Sequence, residues 1–491
     1  MQQKRPLDWL DVRILVGVIF LFLVLRVINL DRWSLANVDE IALLNNLQLP
    51  IFSGGYGSTT FFPAVQITKA LFFVKTFPDY RFIGVLFNLL GLIFFYMGLR
   101  KISGRISSLV GATAYASQWY LVYISRIYEI ATFVPFFFAL QFYLSVLWLT
   151  TRRNTYLILA FFIGGIGIDC YAPPLFYSSV SLLAICCFSA IRRELTWKML
   201  VTSLVASIVA ATPFIYVQLF VGNFRRDLLS NYQFAGHYIA HMAPIHILHP
   251  EIFLKTLAEL LSFITLDHNI WKWSAGLVLG SLAISAVLFL QKRSDPTVRF
   301  VGTWMFLILG LAFLSPVAVY IQGHLTAFLI LFLALNAVLL DCLHGYRRLV
   351  PGILLIGLVS ASLFWLPNIF NDQWREVEWA NDFIQQAGDT PVPISDGAFL
   401  ALRQTPGFLS DKVRIFTCAS EYQVQQGLKD LPCEKPFLIV ATFDCNIVTA
   451  MTTTCANISD EQRVTTLMES HLANGIVFYR TSPKGRGRGE L

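Results

Sequence analysis

The chain has 491 residues, 56% of them hydrophobic and only 14% charged, with 42 Phe and a mean hydropathy of +0.62. Soluble globular proteins carry about 25% charged residues, so this composition excludes a soluble fold. Its apolar stretches run to about 20 residues, the length at which a helix crosses a hydrocarbon core. A β-barrel, with its short alternating segments, is excluded as well.

In chain order, the apolar runs are 12–30, 81–99, 106–124, 130–149, 156–169, 171–190, 199–220, 274–290, 300–320, 323–341 and 350–367. These predict a polytopic α-helical membrane protein with about 11 transmembrane helices. The first run reads as a retained span. No small-residue cleavage site follows it, and the sequence passes directly into Asn29-Leu-Asp-Arg-Trp33.

Every second break between the runs is basic: Lys4/Arg5, Arg100/Lys101/Arg105, Arg152/Arg153, Arg192/Arg193/Lys198, Lys292/Arg293 and Arg347/Arg348. Basic residues mark cytoplasmic loops. The N-terminus is therefore expected inside, and the C-terminus outside, of what reads as a bacterial inner membrane. The net charge of +7 is then a topology signal rather than a sign of nucleic-acid binding. The outer face would carry loop 31–80, the turn with Arg126 and Glu129, the 169–174 turn, loop 221–273, the 322–324 turn and the tail. Neither a Walker A sequence nor a Rossmann glycine fingerprint occurs at a strand–helix junction. A donor displayed outside, such as a lipid-linked one, suits this plan better than a cytosolic nucleotide sugar.

Most residues with chemistry to offer fall on that outer face. Asp39 and Glu40 are adjacent acids in the first loop, and Arg126 stands alone in the short outer breaks, which are otherwise nearly free of Lys and Arg. A carboxylate pair opposite a cation suits transfer of a group from a lipid phosphate. The same acids also suit the start of a helix, whose N-terminus favours negative charge. Arg126 suits an interfacial anchor for its span, with Glu129 as its ion-pair partner one turn on. Asp169, at a span end beside Tyr171, is a further candidate for the lining of a cavity.

The segments Asp79-Tyr-Arg-Phe-Ile-Gly84, Arg100-Lys-Ile-Ser-Gly104 and Tyr123-Ile-Ser-Arg126-Ile-Tyr128-Glu129 resemble the C-type (GT-C) glycosyltransferases. The resemblance is closest to the protein mannosyltransferase and aminoarabinose transferase group. It extends to the order of an acidic first loop (Asp39-Glu40), a Phe61-Phe-Pro63 segment and a Ser125-Arg126 turn, and covers roughly the first 190 residues. It implies transfer of a sugar from a polyprenyl-phosphate carrier to an acceptor hydroxyl of a lipid, glycan or protein, with inversion, on the non-cytoplasmic face. Asp39 would be the general base, Glu40 would orient the acceptor, and Arg126 would bind the carrier phosphate. A lipid phosphate leaves as a stable dianion, so no cofactor is required. A divalent metal is possible without being indicated. The amphipathic stretch 61–77, with Lys69 and Lys75, would roof the site. Related enzymes often carry Arg where this chain has His324, so that phosphate contact would be weaker and pH-dependent.

His237 and His241 have the i, i+4 spacing of a metal site, with His246 and His249 nearby. No Glu lies between the first two, as a zinc protease helix requires. They fit better as cavity-lining residues of a substrate-facing lid.

From 368 the chain turns polar and reads as a small extracytoplasmic α/β domain. Helices are expected at 374–386 and 460–472, and strands at 413–417, 437–442 and 475–479. Cys418, Cys433, Cys445 and Cys455 fall in it. An even number of cysteines in an outward domain suits disulfides, with Cys418–Cys433 and Cys445–Cys455 favoured by proximity in sequence. Asn457-Ile-Ser459 is a glycosylation sequon. Two other functions fit an apolar chain of this kind: a transporter or lipid flippase, and a non-catalytic assembly subunit of the same fold. Transporters place ionisable residues near midspan and show repeated halves, whereas here charges gather at span ends and no repeat of halves is visible.

Overall fold

The structure is a computed structural model that describes residues 9–28, 30, 77–127, 130–170, 172–216, 271–314 and 326–363. Further on it describes 381, 384–385, 392–395, 398–399, 410–416, 428, 438–442, 464–467, 472–473 and 476–483. These fall into two compact units, one helical and one built on a sheet.

The helical unit begins with α1 (Trp9–Val27), α2 (Phe77–Ile102), α3 (Arg105–Ser117) and α4 (Trp119–Arg126). It continues through α5 (Val134–Thr151), α6 (Asn154–Cys170), α7 (Ala172–Ile191), α8 (Trp197–Ala210) and the single turn α9 (Thr212–Tyr216). It closes with α10 (Trp271–Lys292), α11 (Pro296–Leu314), α12 (Thr326–Cys342) and α13 (Leu349–Leu363). A described helix lies on each apolar run. Among the described residues, two helical segments, Asp79–Ile102 and Ala131–Thr151, are long and apolar enough to cross a membrane by length and composition.

The run 106–124 departs from expectation, because it is two helices. The chain straightens at Gln118 (φ −60°, ψ 123°), whose side-chain Oε1 accepts from Leu121 N at 2.8 Å and so caps α4. Gln118 N still donates to Ala114 O at 2.9 Å, which ends α3 in the same residue. A side-chain amide therefore supplies the acceptor that the main chain lacks at a helix start.

α12 is apolar all round and is buried from Thr326 to Leu340, as expected of a central helix. Its one interior amide, Asn336, returns a hydrogen bond to Phe332 O (2.9 Å) and accepts one from Ser285 Oγ of α10 (3.1 Å). A second polar knot joins α5, α7 and α11. In it Gln141 bonds Ser178 and Ser179, and Trp304 Nε1 donates to Ser178 O at 3.2 Å. The peripheral helices present large apolar side chains outward, including Phe20 (70% exposed), Val201 (57%) and Ile353 (65%). Soluble monomers rarely expose apolar surface on this scale; a bilayer accepts it.

The second unit carries a mixed sheet in the order β2-β1-β3-β6-β4, with β5 also on β6. The strands are β1 (Val392–Ser395), β2 (Val413–Phe416), β3 (Leu438–Thr442), β4 (Val464–Leu467), β5 (Leu472–Ala473) and β6 (Ile476–Pro483). β1 runs parallel to β2 and β3, while β6 is antiparallel to β3, β4 and β5. The expected helix over 460–472 is corrected here. Val464-Thr-Thr-Leu467 pairs as a strand with residues 480–483 of β6, because β-branched side chains suit a pleated surface and lose rotamer freedom in a helix. β1 was not foreseen: Pro393 demotes a run as a strand signal, yet here it sits in register with Arg414.

Candidate active site

The site is built where α1 ends, α2 begins and α4 ends. Leu25 of α1 packs against Val122 of α4, with Leu21 and Trp119 closing the contact. This sets the last turn of α1 alongside α4, with its terminal carbonyls lacking helical partners. Arg126, the last residue of α4, takes two of them: Nη1 donates to Leu25 O at 3.0 Å and Nη2 to Ile28 O at 2.9 Å. A planar fork holds two acceptors at once in a way an ammonium cannot, and a cation at a helix C-terminus also complements the dipole.

Two further arginines join it. Arg26 Nη1 donates to Ala116 O at 2.5 Å, at the break between α3 and α4, and its guanidinium lies 3.7 Å over the Phe22 ring. Among the described residues, Arg26 Nε and Nη2 have no hydrogen-bond partner. Arg81, in the first turns of α2, donates from Nη1 to Leu30 O at 3.3 Å. All three side chains are wholly buried. Electrostatic repulsion couples Arg126 to both of the others.

The approach of α2 to this corner depends on Gly84. A Cβ there would lie 2.7 Å from Thr132 Cγ2 and 3.3 Å from Ile127 O. Asn88 Nδ2 then reaches Thr132 O at 2.8 Å, and Thr132 Oγ1 donates to Ile127 O at 3.0 Å. The residue that follows Arg126 is thus fixed from two directions.

Arg126 accordingly sits in the interior, tied to the end of α1, rather than reaching out as an interfacial anchor. Asp169 falls in the last turn of α6, at the same end of the helical unit as Arg126, since α5 and α6 run antiparallel from that end and back. Asp39, Glu40, Glu129, Tyr171, His237, His241 and His324 lie outside the described residues. So do Cys418, Cys433, Cys445 and Cys455. Among the described residues no group of His, Cys, Asp and Glu is placed to hold a metal ion.

Arg26 and Arg81 were missed from the sequence, though each had a signal. Arg26 lies inside an apolar run, where an arginine costs about 2.5–3.5 kcal/mol at the centre of a span and so asks for a role. Arg81 belongs to the Asp79-Tyr-Arg segment that carried the family resemblance.

No protein-family model matches the chain, and no curated protein matches it in sequence. Solved structures do resemble it. ArnT from Cupriavidus metallidurans in the apo state superposes with a TM-score of 0.57 at 11% identity, over 96% of this chain and 97% of that one. The same protein bound to undecaprenyl phosphate gives 0.53 at 12% identity, over 96% and 97%. The archaeal oligosaccharyltransferase AglB from Archaeoglobus fulgidus, in complex with an inhibitory peptide and a dolichol-phosphate, gives 0.44 at 12% identity, over 90% and 71%; that likeness is too loose to define a fold. ArnT, an aminoarabinose transferase, is a GT-C superfamily member, the group whose resemblance the sequence carries. This chain shares the ArnT fold, a multi-pass membrane fold.

Proposed function

We propose that this chain is an integral-membrane glycosyltransferase that moves a sugar from a polyprenyl-phosphate carrier to an acceptor hydroxyl. The observation that carries this reading is the cluster of Arg26, Arg81 and Arg126, buried at one end of an ArnT-like bundle. Arg81 and Arg126 hold the carbonyls of Leu30 and Ile28, from which the chain enters the segment containing Asp39 and Glu40. ArnT has been solved with undecaprenyl phosphate bound, and that lipid belongs to the class of carrier proposed.

In the proposed reaction Asp39 takes the acceptor proton as the hydroxyl oxygen attacks the anomeric carbon. The bond from that carbon to the carrier phosphate oxygen breaks, and the sugar inverts. A phosphodiester carries one negative charge and the departing monoester up to two, so negative charge grows on the phosphate as it leaves. A preorganised cation favours that change most in a site of low dielectric. Two of the five N–H donors of Arg126 are committed to α1. Its role is therefore to anchor the loop root and to hold positive charge beside the leaving group, with Arg81 and Arg26 adding to the field. Glu40 orients the acceptor and His324 adds a phosphate contact. Glu129, Asp169, Tyr171, His237 and His241 line the cavity. The active face is the non-cytoplasmic one, opposite the basic breaks.

The test is sugar transfer from a polyprenyl-phosphate donor by purified variants matched for thermal stability. Asp39→Asn should lower turnover by about 10²–10⁴-fold, the usual worth of a general base, with donor binding nearly unchanged. Wild-type turnover in that variant would reject Asp39 as the base.

A further inference from the structure

At the end of the bundle opposite Arg126, helices α5, α7 and α11 leave a cavity of about 370 Å³ between them. Its rim holds Arg152, Arg192 and Arg299, with Glu194 the one acidic residue among those lining it. Its interior is apolar, with Trp148 and Phe300 in ring contact (centroids 6.2 Å apart) above Leu307. One side is formed by Ala184 and Phe188, both exposed, so the cavity opens laterally where the fold meets lipid. The Arg192 guanidinium lies 4.3 Å over the Phe188 ring, joining the charged rim to the apolar wall.

Helix dipoles explain only part of this rim. Arg152 ends α5 in the left-handed conformation (φ 57°), and Arg192 follows the last turn of α7. Cations are favoured at both places. Arg299 is in the first turn of α11, where the dipole disfavours a cation. The nearby Asp295 uses its Oδ1 to accept from Thr297 N (2.8 Å) and Val298 N (3.0 Å). Among the described residues, none of the three rim guanidiniums has a carboxylate within 4.0 Å. Three cations are thus gathered over an apolar slot that faces the bilayer.

We propose that this cavity binds one anionic glycerophospholipid of the surrounding leaflet. Its phosphate would sit on Arg152, Arg192 and Arg299, and its first acyl methylenes would lie against Trp148, Phe300 and Leu307. The chemistry recognised is a phosphate ester joined to an apolar chain. A zwitterionic headgroup brings its own cation and binds worse, and a free phosphate leaves the apolar slot empty. The site is separate from the proposed transfer centre and does not depend on it.

The experiment is native mass spectrometry of the full-length protein in detergent, titrated with phosphatidylglycerol, with phosphatidylcholine of the same chains, and with inorganic phosphate. One tightly held phosphatidylglycerol is expected, with affinity falling about fivefold for each arginine removed in Arg152→Gln, Arg192→Gln and Arg299→Gln. Ala184→Trp, which keeps the charges but fills the slot, should also release the lipid, so the test stands even if the triple variant fails to fold. Undiminished phosphatidylglycerol binding in Ala184→Trp or in the folded triple variant would overturn the proposal. Equal binding of phosphatidylcholine would remove the role of charge, and displacement by inorganic phosphate at equal concentration would assign the site to a free anion. Preferential loading of this site by undecaprenyl phosphate, lost in the triple variant, would replace the glycerophospholipid with a polyprenyl carrier.

Discussion

Arginines gather at both ends of α1, and their described partners differ in kind. At its start, Asp11 is wholly buried and is gripped by Arg100 (Nε 3.2 Å, Nη2 3.0 Å) and Arg105 (Nε 2.9 Å). The Tyr96 hydroxyl approaches the same carboxylate at 3.5 Å. Those arginines still reach the surface, with side chains 10% and 33% exposed. At the end of α1, Arg26, Arg81 and Arg126 are wholly buried, and their described hydrogen bonds go to main-chain carbonyls. A carboxylate cancels a guanidinium's charge, whereas a carbonyl dipole orients the guanidinium and leaves most of its field in place. The first arrangement ties helices together. The second ties the end of α1 to α2, α3 and α4, and under the proposed function its positive charge would serve a departing phosphate.

The comparison can be broken by experiment, and the largest effect should come from breaking the buried ion pair. Asp11→Ala removes the carboxylate that Arg100 and Arg105 share; breaking a fully buried pair costs about 3–5 kcal/mol, and the partial exposure of both arginines puts the expected loss near the lower end of that range. Unfolding in detergent should show that loss, while turnover per folded molecule stays near wild type. A turnover collapse at unchanged stability would show that the two ends are not divided as argued.

Arg126→Ala is the counterpart. Loss of one preorganised charge-stabilising group is typically worth about 10²–10³ in rate, and sugar transfer from a polyprenyl-phosphate donor should fall by that order. Arg126→Lys should recover only part of it, since an ammonium restores charge without the fork. If stability falls but transfer does not, this end is scaffold like the other.

Gly84 tests how far the cationic corner depends on close packing. Gly84→Val should cost about 1–3 kcal/mol by overpacking against Thr132 and Ile127 O, with transfer falling in parallel as α2 and Arg81 shift. A thermally destabilised variant with full transfer would separate the packing from the site. The smallest effect is expected at Gln118. Gln118→Ala removes the cap on Leu121 N and should cost about 1 kcal/mol, with little change in turnover unless the α3–α4 break also sets Arg26.

The apolar runs, and with them a helical membrane fold, were legible in the sequence, because hydrocarbon demands about 20 apolar residues per crossing whatever surrounds them. The sequence also singled out Arg126, a lone cation where the charge pattern called for none. Strands 413–416 and 438–442 and the first half of β6 were readable from their local composition, whereas its extension through residues 480–483 was not. Residues 464–467 were not, since a short stretch takes its conformation from the partner it pairs with, and that partner was β6. The division of the arginines was decided in the same way. Arg100 and Arg105 read only as marks of a basic loop until folding brought Asp11 to them from the far end of α1. Arg26 read as part of an apolar run until the break at Gln118 exposed the Ala116 carbonyl. Hydropathy is a property of the local chain, so sequence alone determines it. The partner that a buried charge receives comes from a distant residue, and only the tertiary structure chooses it.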